Sequence, residues 1–293
     1  MATMAITADM VKKLRDQTGA GMMDCKAALA EANGNFDEAT TILRKKGLAS
    51  AAKKAGRSTN EGLIGARASA DHSTGILVEV NCESDFVART DDFKQLIKDV
   101  LAEIEKAGDQ ASQAWLDDPE GPVKKRVAAA IGKLGENMAV PRFVRYAGHG
   151  YVGQYIHPVG EKLGVQVEFG GVTPEIAGRA EFQTLVKELA MHIAASNPSP
   201  QFISRTSVPG DLVEKEKAIY RAQMEGSGKP ANVIDKIVEG KLGSYYAQVV
   251  LPEQPSIRDP KMTVQQVIDA ASKTLGAKIT VNRFARLKVG EAA

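Results

Sequence analysis

One strand–strand–helix pattern occurs twice in this chain, and any fold must accommodate both copies. "GILVEV" from Gly75 lines up with "GVQVEF" from Gly164. Within them Glu79 matches Glu168, and fourteen residues further on Phe93 matches Phe182. "FKQLIKDV" parallels "FQTLVKEL" in character, and upstream "EGLIG" parallels "HGYVG". Period-2 alternation followed by a 3.6-residue period predicts paired strands feeding an amphipathic helix in each copy. The connection between strand and helix differs. The second copy reads "GGVTPEIAGR", with Pro174 where the first has Asp85. Shared residues read as scaffold, so the difference is a candidate for function.

The flanks follow other rules. Thr7 can cap a helix through Met10, Val11 and Leu14, which "TGAG" ends. A second helix through "MMDCKAALAEA" stops at Asn33-Gly34, and a third through "FDEATTILRKK" is expected to stop at Gly47. "LASAAKKAGRSTNEG" then reads as a helical linker fraying into a loop. After the helix from Asp91 and the short helix "VKKRVAAAIGKLG", the segments "MAVPRFVRYAG", "GYVGQYIHP" and "LGVQVEFG" resume the strand pattern. Beyond the proline-rich "NPSPQFISRTSVPG", two helices joined at "GSGKP" predict a protruding antiparallel hairpin. "AKITVNRFARLKVGE" is expected to rejoin the second sheet. The class is α+β. The expected divisions are 1–56 (three-helix module and linker), 57–140 (first core unit), 141–200 (second core unit), 201–248 (hairpin insert) and 249–293 (return to the second unit).

Function classes are limited by composition. At 293 residues and net charge +2, the chain lacks the basic excess of a dedicated nucleic-acid binder. Cys25 and Cys82, far apart and without CxxC spacing, argue against a disulfide scaffold or zinc site and suit a reducing cytosol. "MATMAITADMVKKLRDQ" contains no signal-peptide core, and no segment approaches the ~20 apolar residues of a membrane span. A cytoplasmic protein is expected. "GHGYVG", Gly148 to Gly153, matches a dinucleotide fingerprint but runs into a strand-like segment instead of a helix. "GSGKP" has Gln223 where a phosphate loop needs its first glycine, and Pro230 where magnesium needs a hydroxyl. His72, His149, His157 and His192 show no ligand spacing, and His192 reads as a packing residue within a helix. The run "RKKGLASAAKKAGR" reads as a solvated helix face. No active site, metal or cofactor of its own is expected.

Three places suggest contact with another molecule. In "VNCESDFVART", a buried strand breaks at Ser84-Asp85-Phe86-Val87. Phe86 either anchors the following helix from beneath or projects to work on a partner. Met22 and Met23 follow a glycine turn, and two adjacent thioethers on a loop cannot both point inward. His157, before Pro158 at a strand end, is a further candidate.

"VKKLRDQTGAGMMDCKAAL" and "EVNCESDFVART" resemble the two signature regions of bacterial elongation factor Ts proteins. "KLGENMAVPRFVRY", "MHIAASNP" and "SGKPANVIDKIVEGKL" resemble that family too, in its order, over nearly the whole chain. The resemblance implies an N-terminal module similar to ubiquitin-associated domains, a core of two related α+β halves, and an inserted coiled-coil hairpin that offers a route to self-association. Some members carry a further C-terminal helical module, which this sequence is expected to lack. The implied activity is guanine-nucleotide exchange on elongation factor Tu, bound as its GDP and nucleotide-free forms, with no bond made or broken. The implied working segment is Ser84, Asp85, Phe86 and Val87, which wedges into the partner's nucleotide domain and displaces its magnesium. Rival classes are a ribosome- or RNA-binding adaptor using the basic run and the hairpin, and a nucleotide-dependent enzyme, for which neither glycine motif supplies a phosphate cradle.

Overall fold

The computed structural model describes residues 5–291. Three helices come first: α1 (Ala8–Thr18), α2 (Met22–Glu31) and α3 (Phe36–Lys54). The first core unit follows as β1 (Glu61–Ala68), β2 (Thr74–Cys82), the single turn α4 (Asp85–Ala88), α5 (Asp91–Ala107), α6 (Gln113–Asp117), α7 (Pro122–Leu134) and β3 (Met138–Ala147). Then come β4 (Tyr151–Ile156), β5 (Leu163–Gly170), the single turn α8 (Pro174–Ala177) and α9 (Ala180–Ala195). Helices α10 (Gly210–Ala222), α11 (Ala231–Val249) and α12 (Val264–Leu275) precede β6 (Thr280–Lys288). The class is α+β, with two small antiparallel sheets ordered β1-β2-β3 and β4-β5-β6.

The repeat extends further than the sequence match. Glu79 on β2 lies opposite Arg142 on β3, and Glu168 on β5 lies opposite Arg283 on β6. Both ladders shift register just past the glutamate. Phe93 on α5 and Phe182 on α9 are each fully buried, one in each core. One expected boundary needs correction. Residues 138–147 form the third strand of the first sheet, so a division at 140/141 cuts through β3. The second sheet obtains its third strand from the end of the chain, through β6.

Side-chain alternation sorts the strands into layers. Ile76, Val78 and Val80 pack among residues of α5 and α7, whereas Leu77 packs with Ile64 and with Leu287 of the other sheet. Val165, Val167 and Phe169 likewise pack among residues of α9 and α12. Each sheet therefore has helices on one face and the other sheet on the second. Close approach depends on glycine. A Cβ on Gly75 would sit 2.4 Å from Val152, and one on Gly164 would sit 2.5 Å from Ile64. With both faces covered, β2 is buried almost without a break, a pattern more usual in parallel sheets.

Helix α3 does not stop at Gly47 but continues to Lys54. The glycine marks a contact: a Cβ on Gly132 of α7 would approach the Gly47 Cα to 3.3 Å. Farther along, Ala51 packs on the first core. The first half of α3 closes a cluster with Val11, Leu14, Cys25 and Leu29, and its second half rests on α7. Helices α10 and α11 pack together, with Arg221 paired to Asp235 at 3.5 Å. Helix α12 was not expected. Its signal is a capping box, in which the Thr263 side chain accepts from Gln266 N and the Gln266 side chain accepts from Thr263 N.

His192 on α9 is buried beside the chain leading to α12. The Gln254 amide donates to the Pro198 and Gln248 carbonyls, which turns its Oε1 toward His192 Nε2 at 2.8 Å. Nδ1 accepts from Ile257 N at 3.3 Å. A neutral imidazole protonated on Nε2 satisfies both contacts. Burial, opposed by the Gln254 hydrogen bond, holds this histidine below its ordinary pKa.

Two outcomes are expected. Phe93→Ala and Phe182→Ala should each destabilise the protein by about 3–5 kcal/mol in denaturant unfolding, as buried aromatic truncations do. Because folding lowers the His192 pKa, the unfolded chain binds more protons below the ordinary value of 6.5. Stability measured in urea should rise as pH increases toward that value and then level off. His192→Gln should flatten the rise, even if it lowers stability throughout.

Candidate functional site

The segment Ser84–Val87 is shaped by its neighbours on both sides. Cys82 ends β2 in the core, and burial pushes its thiol up to about 12, with the Glu136 carboxylate adding to the rise. Ser84 is extended and caps α4, its Oγ accepting from Val87 N at 3.4 Å. Thr90 caps α5 in turn, accepting from Phe93 N at 3.2 Å. Between these caps, Ala88 is buried and Val87 packs against the first core. Helical geometry then leaves Phe86 no inward direction, and the residue is 80% exposed. Asp85 pairs with Arg89 one turn later, at 2.7 Å. The helix-anchor alternative for Phe86 is therefore set aside, since anchoring falls to Val87 and Ala88.

Sequence reasoning missed the residues that grip this turn from the α7–β3 connection. Ser84 Oγ donates to Glu136 Oε1 at 2.5 Å, and Ser84 N donates to Glu136 Oε2 at 2.9 Å. Asn137 N donates to Glu83 Oε1 at 2.6 Å, while the Asn137 amide donates to the Arg57 carbonyl at 2.7 Å. The Asn137 N–H, aided by the Arg57 charge, holds the Glu83 carboxyl below its ordinary value. Only the phrase "GEN", set between a helix and a strand, could have hinted at this.

The second copy supplies an internal comparison. Helix α8 is the counterpart of α4, with Thr173 as its cap and Ile176 buried where Val87 packs. Glu175, also exposed, stands where the first copy has Phe86. The fold builds this outward-facing position twice and places an aromatic at one of them.

The other candidates stand on different elements. Met22 and Met23 are the first two residues of α2, after Gly21, and not part of a loop. They are 54% and 76% exposed. His157 lies half-buried after β4, accepting from Val159 N at 3.3 Å and meeting Tyr155 edge-on. "GHGYVG" turns at Gly148 and enters β4, so no helix N-terminus faces it. Among the described residues, no three His, Cys, Asp or Glu side chains are placed to hold a metal ion. No helix among them is long and apolar enough to cross a membrane.

Similarity to known proteins covers the site and most of the chain. The family profile "Elongation factor TS" matches residues 83–291. The elongation factor Ts of Trichlorobacter lovleyi is 44% identical over 294 residues, covering 98% of this chain and 94% of that protein. The proteins of the same name from Nitratiruptor sp. and Clostridium botulinum are each 43% identical, covering 98% of this chain and 94% and 93% of theirs. A matching family profile that begins beside Ser84, together with relatives aligned over nearly their whole length, establishes that this chain belongs to the elongation factor Ts family.

Proposed function

We propose that this protein binds elongation factor Tu and promotes GDP release, acting as a guanine-nucleotide exchange factor and not as an enzyme. Family membership supports the activity and the partner. Phe86 carries the mechanism: it is a large apolar ring held out into water on a turn whose other side chains are anchored. Burying such a ring in a partner's pocket recovers roughly 1.5–3 kcal/mol of transfer free energy. Exchange then follows from linkage. A protein that binds the open form of a GTPase more tightly than its GDP form must weaken GDP by the same factor.

In this reading Phe86 fills an apolar gap in the nucleotide domain and shifts the loops that support its magnesium. Magnesium demands near-ideal octahedral geometry, so such shifts would weaken the partner's hold on the metal and on its nucleotide. Asp85 orients the wedge through its pairing with Arg89, while Ser84 and Val87 fix its base. Met22 and Met23, with His157 as a further point, make secondary contacts with the same partner in its GDP-bound and nucleotide-free forms. The remaining architecture is assigned on the same footing. Residues up to about 56 form a module resembling ubiquitin-associated domains, and two related core units follow. The hairpin within 201–248 is a coiled coil through which copies can associate, and the setting is the cytoplasm.

Release of labelled GDP from elongation factor Tu, with and without this protein, tests the proposal directly. Phe86→Ala should leave the unfolding midpoint nearly unchanged and remove roughly 1–4 kcal/mol of stabilisation of the open complex. Asp85→Ala should slow release by less. Wild-type release by a folded Phe86→Ala protein would refute the wedge. Replacing Met22 and Met23 together by Ser should weaken complex formation in a pull-down or titration without altering thermal stability. Unchanged affinity would remove those methionines from the interface.

A further inference from the structure

The α7–β3 connection grips the turn that carries Phe86, and from this we infer that Glu136 is a positioning residue for exchange. It holds α4 in one orientation so that Phe86 meets its partner already aimed. The inference rests on the wedge reading of Phe86 and adds a residue that acts through it.

A one-turn helix has almost no stability of its own, because its ordering entropy is set against one or two hydrogen bonds. The Ser84 cap on Val87 N is long, at 3.4 Å, and cannot fix the turn alone. Both Glu136 oxygens, by contrast, engage Ser84, one through its hydroxyl and one through its backbone N–H. Charge-assisted bonds of this kind are about twice as strong as neutral ones. The neighbouring residues interlock in the same way, Asn137 N reaching back to Glu83. Residues 83–84 are thus tied at three points to a connection over fifty positions away.

The second copy shows that the turn can form without this carboxylate. The Glu168–Arg283 pairing aligns with Glu79–Arg142, which places Ala277 where the first copy has Glu136. There Thr173 caps Ile176 N at 3.3 Å, and Pro174 occupies the first helical position. Proline fixes φ and preorganises a helix start. The first copy has Asp85 at that position and so lacks the ring's stiffness. Glu136 restores by hydrogen bonding what Pro174 supplies covalently, and leaves position 85 free for a carboxylate. Stiffness matters because ordering a mobile wedge during association would subtract from affinity for the open GTPase.

The test compares Glu136→Ala, Glu136→Gln and Phe86→Ala in the full chain. Two readouts are used: amide hydrogen exchange in the free protein, and GDP release from elongation factor Tu over a range of exchange-factor concentrations. Glu136→Ala is expected to speed amide exchange across residues 84–88 by roughly tenfold or more, with β2, β3 and α5 unchanged. It should slow saturated GDP release by about tenfold. Glu136→Gln, which keeps one acceptor oxygen, should fall between wild type and alanine on both readouts. Added to Phe86→Ala, the Glu136→Ala change should slow release no further.

Unaltered amides at 84–88, or wild-type release by Glu136→Ala while Phe86→Ala is impaired, would overturn the positioning role alone. A full additional loss in the Phe86→Ala background would also overturn it, since Glu136 would then act elsewhere. Wild-type release by Phe86→Ala would overturn the wedge reading and this inference with it. Should Glu136→Ala fail to fold, Glu136→Gln decides, and wild-type values on both readouts reject the role.

Discussion

Two buried carboxylates set the frame on which everything else is mounted. Glu79 and Glu168 are almost wholly buried between the sheets, where an unpaired charge would be costly. Glu79 accepts from Arg142 Nε at 2.8 Å and from Gly290 N at 3.2 Å, and Arg142 reaches the Lys288 carbonyl at 3.1 Å. Glu168 accepts from Arg283 at 2.6 and 2.9 Å and from Asn282 at 3.1 Å, while the Arg283 guanidinium lies 4.1 Å over the Tyr146 ring. Each pair thus begins within one sheet and ends on the other. Net stability from such pairs is small, because desolvation offsets attraction. Their effect is on register: a slip of one residue would turn either glutamate into the hydrocarbon layer beneath the helices.

With register fixed, the end of β2 has one position, and α4 follows from it. Cys82 and Ala88 are buried on either side of the turn, and Val87 packs beside them. The outward direction of position 86 is therefore a property of the sheet as much as of the turn. The same geometry recurs at Glu175 after β5, with no aromatic. A duplicated scaffold provides two similar outward positions, and only the first carries an aromatic there.

Features that depend on local spacing were legible in the sequence. The repeat could be read because β alternation, a buried glutamate and a helix-start phenylalanine recur at fixed intervals. Exposure of Phe86 was one of two readings, and only the inward packing of Val87 and Ala88 decides it. Features that depend on distant contacts were misread. Gly47 looks like a helix stop, yet Gly132 of another helix approaches it and α3 runs on. Strand β3 looks like the start of the second unit because four helices, α4 to α7, separate it from β2, its hydrogen-bonded neighbour. Met22 and Met23 read as loop residues after a glycine turn, yet Gly21 leads directly into α2. Glu136 carries no local signal beyond its place in "GEN" between a helix and a strand, since its partner lies fifty-two residues earlier. Helix α12 is legible in principle through the capping box of Thr263 and Gln266.

The wedge proposed for Phe86 faces a constraint that an enzyme's buried site does not. The side chain that acts must be left unpacked in the free protein, so packing cannot hold it still. Rigidity has to come from the backbone beneath it and from polar contacts to either side. That is the pattern around Phe86: Val87 and Ala88 pinned in the core, Asp85 tied to Arg89, and Ser84 held by Glu136. Polar ties suit this purpose better than more apolar surface would. Apolar neighbours would tend to cover the ring, whereas hydrogen bonds fix direction without hiding it. The concentration of charged and hydroxyl side chains around one exposed aromatic is thus what a rigid but uncovered anchor requires.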